Sequence, residues 1–152
     1  MRPRKIGHIV LKVRDLAQAE AFYTEALGFE VVTRFDEPHT VFLSLGEQHH
    51  DLALREVSAG AADPQEDQVG LHHLAFQVHN LDALKDAYAE LKGRGVHILK
   101  AVDHGTTNSI YFCDPAGNQL ELYCDVGTDS LARARRRTAR SPHDFLPLRL
   151  DC

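Results

Sequence analysis

The chain repeats itself, and the repeat restricts its fold more tightly than any single motif. Sliding the sequence by 65 positions lays His73 on His8, Val78 on Val13, Leu81 on Leu16, Tyr88 on Tyr23 and Gly93 on Gly28. Self-similarity at a fixed offset marks one supersecondary unit used twice. Each copy opens with apolar residues at alternate positions, Ile9, Leu11 and Val13 in the first and Leu74, Phe76 and Val78 in the second. That is the period of a strand with one buried face.

A helix follows in each copy. Asp15 and Asp82 stand near its start, where a short acceptor side chain caps free N–H groups. Gly28 in the first copy, and Gly93 or Gly95 in the second, stand where a helix needs a left-handed residue to stop. Three strands complete each module, at roughly 29–35, 40–45 and 51–56, then at roughly 96–102, 108–113 and 118–124. The signals DEPH, GEQ and DPAGN mark turns between them. The predicted organisation is a first βαβββ module over 1–57, a polar linker over 58–70, a second βαβββ module over 71–124 and a tail over 125–152.

Composition narrows the class. A chain of 152 residues buries about 70% of its unfolded surface and needs no disulfide to be stable. Its three cysteines, Cys113, Cys124 and Cys152, are odd in number and form no CxxC pair, so a reduced, cytoplasmic protein is expected. A net charge of −5 argues against nucleic-acid binding, with RARRR at 133–137 a local exception. No apolar run is long enough to span a membrane, and MRPRKIGHIV lacks the apolar core of a signal peptide.

Histidine is the abundant functional residue, with ten in the chain. In GLHHLAFQV, residues 70–78, His72 shares the parity of the buried set Leu74, Phe76 and Val78, whereas His73 shares the opposite face with Ala75 and Gln77. His8 has that same concave parity in the first copy, and His72 reads as a polar residue at a strand start. In GNQLELY, Leu120 and Leu122 take the buried parity and leave Gln119, Glu121 and Tyr123 facing the concavity. His8, His73 and Glu121 would form a two-histidine, one-carboxylate triad with open positions, a donor set suited to Fe(II) or Mn(II). The expected fold class is α+β, two βαβββ modules in tandem forming a curved, mostly antiparallel sheet around a metal cleft.

The paired modules, the repeat-related histidines and the late-strand glutamate resemble the vicinal oxygen chelate superfamily over residues 6–124. Within it, HHDLAL at 49–54 resembles the type I extradiol ring-cleavage dioxygenases, whose acid–base histidine maps onto His50. Ala53 aligns with Glu121, which implies one metal site per chain. DHGTTNSIYF at 103–112 resembles the extradiol segment carrying a histidine and a tyrosine, here His104 and Tyr111. The resemblance implies an Fe(II)- or Mn(II)-dependent cleavage of a catechol-type aromatic diol with O₂. Alternatives within the superfamily are a thiol transferase of the fosfomycin-resistance type, a glyoxalase or epimerase, and a non-enzymatic drug-binding module. His39, His79, His97 and His143 read as surface or packing residues. The tail reads as a basic helix and an arm anchored by Phe145, Leu146 and Leu148, and the open sheet edges suggest a homo-oligomer. Whether the cleft forms within one chain or by module exchange is left open by the sequence.

Overall fold

A computed structural model describes residues 1–65, 67–127, 146–148 and 150. The basic run at 133–137, His143, Phe145 and Cys152 lie outside the described residues. The elements run β1 (Ile9–Val13), α1 (Leu16–Glu25), β2 (Glu30–Phe35), β3 (Thr40–Ser44), β4 (Leu52–Glu56), β5 (Leu74–Gln77), α2 (Leu81–Gly93), β6 (Ile98–Asp103), β7 (Thr107–Cys113), β8 (Gln119–Asp125) and β9 (Leu146–Pro147). The order βαβββ therefore occurs twice, and the strands hydrogen-bond into one sheet per module. Two compact units result, Met1–Gln68 with Asp114–Asn118, and Val69–Cys113 with Gln119 onward.

In the first unit the sheet order is β1-β4-β3-β2. The β1–β4 pair is parallel and the other two are antiparallel. Helix α1 begins where Asp15 accepts the Gln18 backbone N–H at 2.9 Å, the cap expected there. It is followed by Gly28 at φ 72°, a conformation with no steric cost only for glycine. Tyr23 on its inner face is fully buried. Its hydroxyl donates to Asp114 Oδ2 at 2.9 Å, and burial beside that carboxyl pushes the phenol far above its ordinary range. Asp114 also accepts from the backbone N–H groups of Ala116 and Asn118. Arg14 donates to the carbonyl oxygens of Ala61 and Ala116. These bonds explain why the turn between β7 and β8 belongs to the first unit.

In the second unit the order is β5-β8-β7-β6-β9, with β5 parallel to β8 and the rest antiparallel. The N-cap of α2 is Asn80, whose Oδ1 accepts from the Ala83 N–H at 2.9 Å, not Asp82. The extended chain ends at Val78, whose N–H bonds the Tyr123 carbonyl. The helix therefore starts early and Asp82 falls in its first turn, where its charge favours the helix dipole. Of the two candidate stop residues it is Gly95 that has positive φ, 76°. Leu84 and Leu91 of α2 are buried with Ile110, Phe112, Leu120 and Leu122 of the sheet. Each such side chain contributes about 1.5–3 kcal/mol by leaving water.

The buried Tyr23–Asp114 bond yields a stability prediction. Tyr23→Phe should lower stability by about 1–2 kcal/mol, because Asp114 loses one of its donors. Asp114→Ala should cost more, since it also frees the Ala116 and Asn118 N–H groups. Urea midpoints of the two variants check that order.

Candidate active site

The second sheet sorts its side chains by alternation. Leu120 and Leu122 of β8 take one face, and Gln119, Glu121 and Tyr123 take the other. Strand register sets Ala75 of β5 beside Glu121 on one flank and Tyr111 of β7 on the other. His73 lies two residues before Ala75 and so on that same face. Its Nε2 is 3.0 Å from Glu121 Oε2. The Tyr111 ring meets the His73 ring edge-on, with centroids 5.5 Å apart. Lys100, registered beside Tyr111 across β6 and β7, holds its Nζ 4.7 Å from the Tyr111 ring centre.

His104 reaches this group because the β6–β7 hairpin is tight. Its N–H bonds the Thr107 carbonyl, and Gly105 takes the positive φ that the turn needs. His104 Nε2 then stands 3.0 Å from the Tyr111 hydroxyl. Burial, together with the negative charge of Glu121, pushes the Tyr111 phenol up to about 12. At neutral pH Tyr111 is therefore a protonated hydrogen-bond donor. His73, Glu121, Tyr111 and His104 are thus gathered in the second unit.

The first unit has the same lattice with different residues on it. Val10 of β1 and Phe42 of β3 flank Ala53 of β4, so Ala53 stands where the second sheet has Glu121 and Phe42 where it has Tyr111. His8, just ahead of β1, lies against His50 with ring centroids 4.4 Å apart. His50 also packs on Phe42 at 5.0 Å. Burial first, then the nearby imidazoles of His49 and His8, hold the His50 pKa below its usual value, so His50 is neutral at pH 7. Asp51 of HHDLAL is structural, accepting from the Leu45 N–H at 2.8 Å and from the Gln48 side chain, which closes the turn ahead of β4. A cavity of about 310 Å³, lined by Val32, Thr33, Phe35, Phe42, His49 and His50, opens beside these rings. His39 is a surface residue paired with Glu56, and His79 and His97 are exposed.

Sequence reasoning missed the neighbours of the two central histidines. His49 Nδ1 lies 2.6 Å from His50 Nδ1, and His72 Nδ1 lies 2.7 Å from His73 Nδ1. The HH doublets were the available signal. Reading 72–73 as a choice between two residues hid the contact within the pair.

The donor set can be tested against a metal. Two ligand atoms each about 2.1 Å from a shared ion, at right angles, lie about 3 Å apart, which is the His73 to Glu121 separation. This imidazole–carboxylate pair fits. His8 belongs to the first unit, and among the described residues no group of three or more His, Cys, Asp or Glu side chains is gathered around a metal position.

The family model of the Glyoxalase/Bleomycin resistance protein/Dioxygenase superfamily matches residues 5–122. The chain belongs to that superfamily. It is 35% identical over 122 residues to biphenyl-2,3-diol 1,2-dioxygenase 3 of Rhodococcus globerulus, covering 80% of this chain and 63% of that protein. It thus spans less than two thirds of that relative's length. Among solved structures, the glyoxylase/bleomycin resistance protein/dioxygenase domain from Frankia sp. EAN1pec superposes with a TM-score of 0.73 at 25% identity, over 82% of this chain and all of that one. A glyoxalase family protein from Enterococcus faecalis superposes with a TM-score of 0.65 at 30% identity, over 79% of this chain and 97% of that one. The α+β architecture of tandem βαβββ modules is that of the superfamily.

Because Glu121 charge is one cause of the raised Tyr111 pKa, Glu121→Gln should bring that phenol down toward, but not to, the ordinary value of about 10, since burial remains. An ultraviolet titration of tyrosinate, with Tyr111→Phe as the reference, measures the change. An unaltered Tyr111 titration would mean the two groups are not in contact.

Proposed function

We propose that this superfamily member is an extradiol dioxygenase that opens the ring of a catechol-type aromatic diol with O₂, using Fe(II) or, alternatively, Mn(II). The observation that carries the reading is the difference between the modules. One imidazole–carboxylate pair, His73 with Glu121, has a phenol and a further imidazole beside it, whereas the first module offers Ala53 and Phe42 at the corresponding places. The similarity to the biphenyl-diol dioxygenase supports the same reading.

In this proposal His8, His73 and Glu121 hold the metal. When bound, it supplies positive charge that favours the ionised diol, and open positions for two reactants. The remaining residues have separable tasks. His50, neutral at pH 7, accepts a diol proton and returns it later, a role suited to an imidazole. Tyr111 keeps its O–H and donates it to a substrate oxygen, while His104 fixes the direction of that hydroxyl. The apolar wall of Val32, Phe35 and Phe42 offers a planar ring an apolar surface. A glyoxalase-type reading is favoured by the match to the Enterococcus faecalis glyoxalase family protein, 97% of whose length is covered. A thiol transferase of the fosfomycin-resistance type would use the same three ligands with no need of His50, whereas a glyoxalase with two equivalent metal sites would want a carboxylate where Ala53 stands.

The test is O₂ uptake by anaerobically purified protein reconstituted with Fe(II) or Mn(II) and given a panel of catechols. Metal-dependent uptake with a coloured ring-fission product is expected, and its loss in Glu121→Ala. His50→Gln should keep its metal and lose about 100-fold or more in turnover. No uptake by protein holding one metal per chain would overturn the dioxygenase reading in favour of the transferase or lyase one.

A further inference from the structure

A shift in strand pairing decides which way Lys100 faces. By simple alternation Ile98 and Lys100 of β6 would point to one side of the sheet. Ile98 pairs with Phe112 but Lys100 pairs with Tyr111, so Leu99 is the extra residue of a bulge and Lys100 crosses to the other face. Phe112 is fully buried in the apolar core, whereas Tyr111 belongs to the cluster around Glu121. The first module repeats the device. Val31 pairs with Leu43 and Thr33 with Phe42, with Val32 between them, so Thr33 is the counterpart of Lys100 as Phe42 is of Tyr111. Thr33 lines the first unit's cavity together with Phe42. The position after the bulge therefore faces the site side of the sheet in both modules, although an apolar residue, Val32 or Leu99, is left exposed in each. Bulges that re-aim a side chain are over-represented beside active sites.

What the second module places there is a cation. Lys100 Nζ lies over the Tyr111 ring, and among the described residues it is in no ion pair. The carboxylates of β8 on that face are engaged elsewhere, Glu121 with His73 and Asp125 with the Gln77 amide. Lys100 stands two strands from Glu121, about 10 Å across the sheet, a span that an aromatic ring with a charged substituent bridges. We propose that Lys100 is a specificity-determining residue: its ammonium pairs with a carboxylate on the ring of a diol whose oxygens lie toward His73 and Glu121. The proposal rests on the dioxygenase reading and narrows its substrates to carboxylate-bearing catechols.

The test compares 2,3- and 3,4-dihydroxybenzoate with their methyl esters, which keep the diol and lose the charge. Dissociation constants are measured anaerobically by calorimetry on the full chain reconstituted with Fe(II), and ring cleavage by O₂ uptake. The unaltered protein should bind one acid about 10-fold more tightly than its ester. Lys100→Met, which keeps an aliphatic stem over Tyr111, should bring that ratio close to one. Lys100→Arg should preserve the ratio and Lys100→Glu should reverse it. Because each variant is read as a ratio, general damage to the site cancels. In turnover the effect of Lys100→Met should fall on KM for the acid more than on kcat. An ester bound and cleaved as well as its acid, or an acid preference indifferent to Lys100→Met, would overturn the proposal and leave ring cleavage itself untouched. A Lys100-dependent preference for the acid in protein that cleaves neither compound would support the anion pairing while overturning the dioxygenase reading. Binding of neither acid nor ester would overturn both.

Discussion

A carboxylate set between two buried leucines in an interior strand must find partners or lose its charge, and the second sheet is organised around meeting that demand. Glu121 is only 7% exposed, where an unpaired carboxylate would cost several kcal/mol. Its partners arrive through strand pairing. The parallel β5–β8 ladder carries His73 to one side and the antiparallel β7–β8 ladder carries Tyr111 to the other. Both ladders are pinned by the apolar residues of the opposite face, buried with Leu84 and Leu91 of α2. A slip of one residue would expose that apolar set and bury the polar one. The hydrophobic face thus sets the geometry of the chemical face.

The duplicated module shows how such a face can change while the scaffold stays. Strand order, helix position and the parallel first pairing are the same in both copies. The difference lies in two side chains at matching register, Ala53 and Phe42 in one and Glu121 and Tyr111 in the other. One sheet is left with an apolar surface beside His50, and the other with a polar cluster beside His73.

Much of this was legible in the sequence because alternation is a local property. The module strands β1 to β8 lie within a few residues of their expected places, whereas β9 in the tail was not expected as a strand; the parities of His73 and Glu121 follow from their leucine and phenylalanine neighbours. Contacts between distant residues left no periodic trace. Nothing near DPAGN indicates that Asp114 bonds Tyr23 across 91 positions, and so the assignment of that turn to the first unit had no local signal. The Asn80 cap was missed because Asp82 is an equally good capping type, and only the end of the preceding strand decides between them. The ring contacts of His49 and His72 depend on side-chain angles at the strand starts, which residue spacing does not encode.

The proposal that His8, His73 and Glu121 hold one metal ion is tested most directly by the stoichiometry of metal binding. Anaerobic competition with a chromophoric chelator would measure Fe(II) uptake by the unaltered chain, by His8→Ala and by Glu121→Ala. The expected result is one ion per chain, with both substitutions abolishing tight binding. An unaltered affinity in His8→Ala, or two ions per chain, would contradict it.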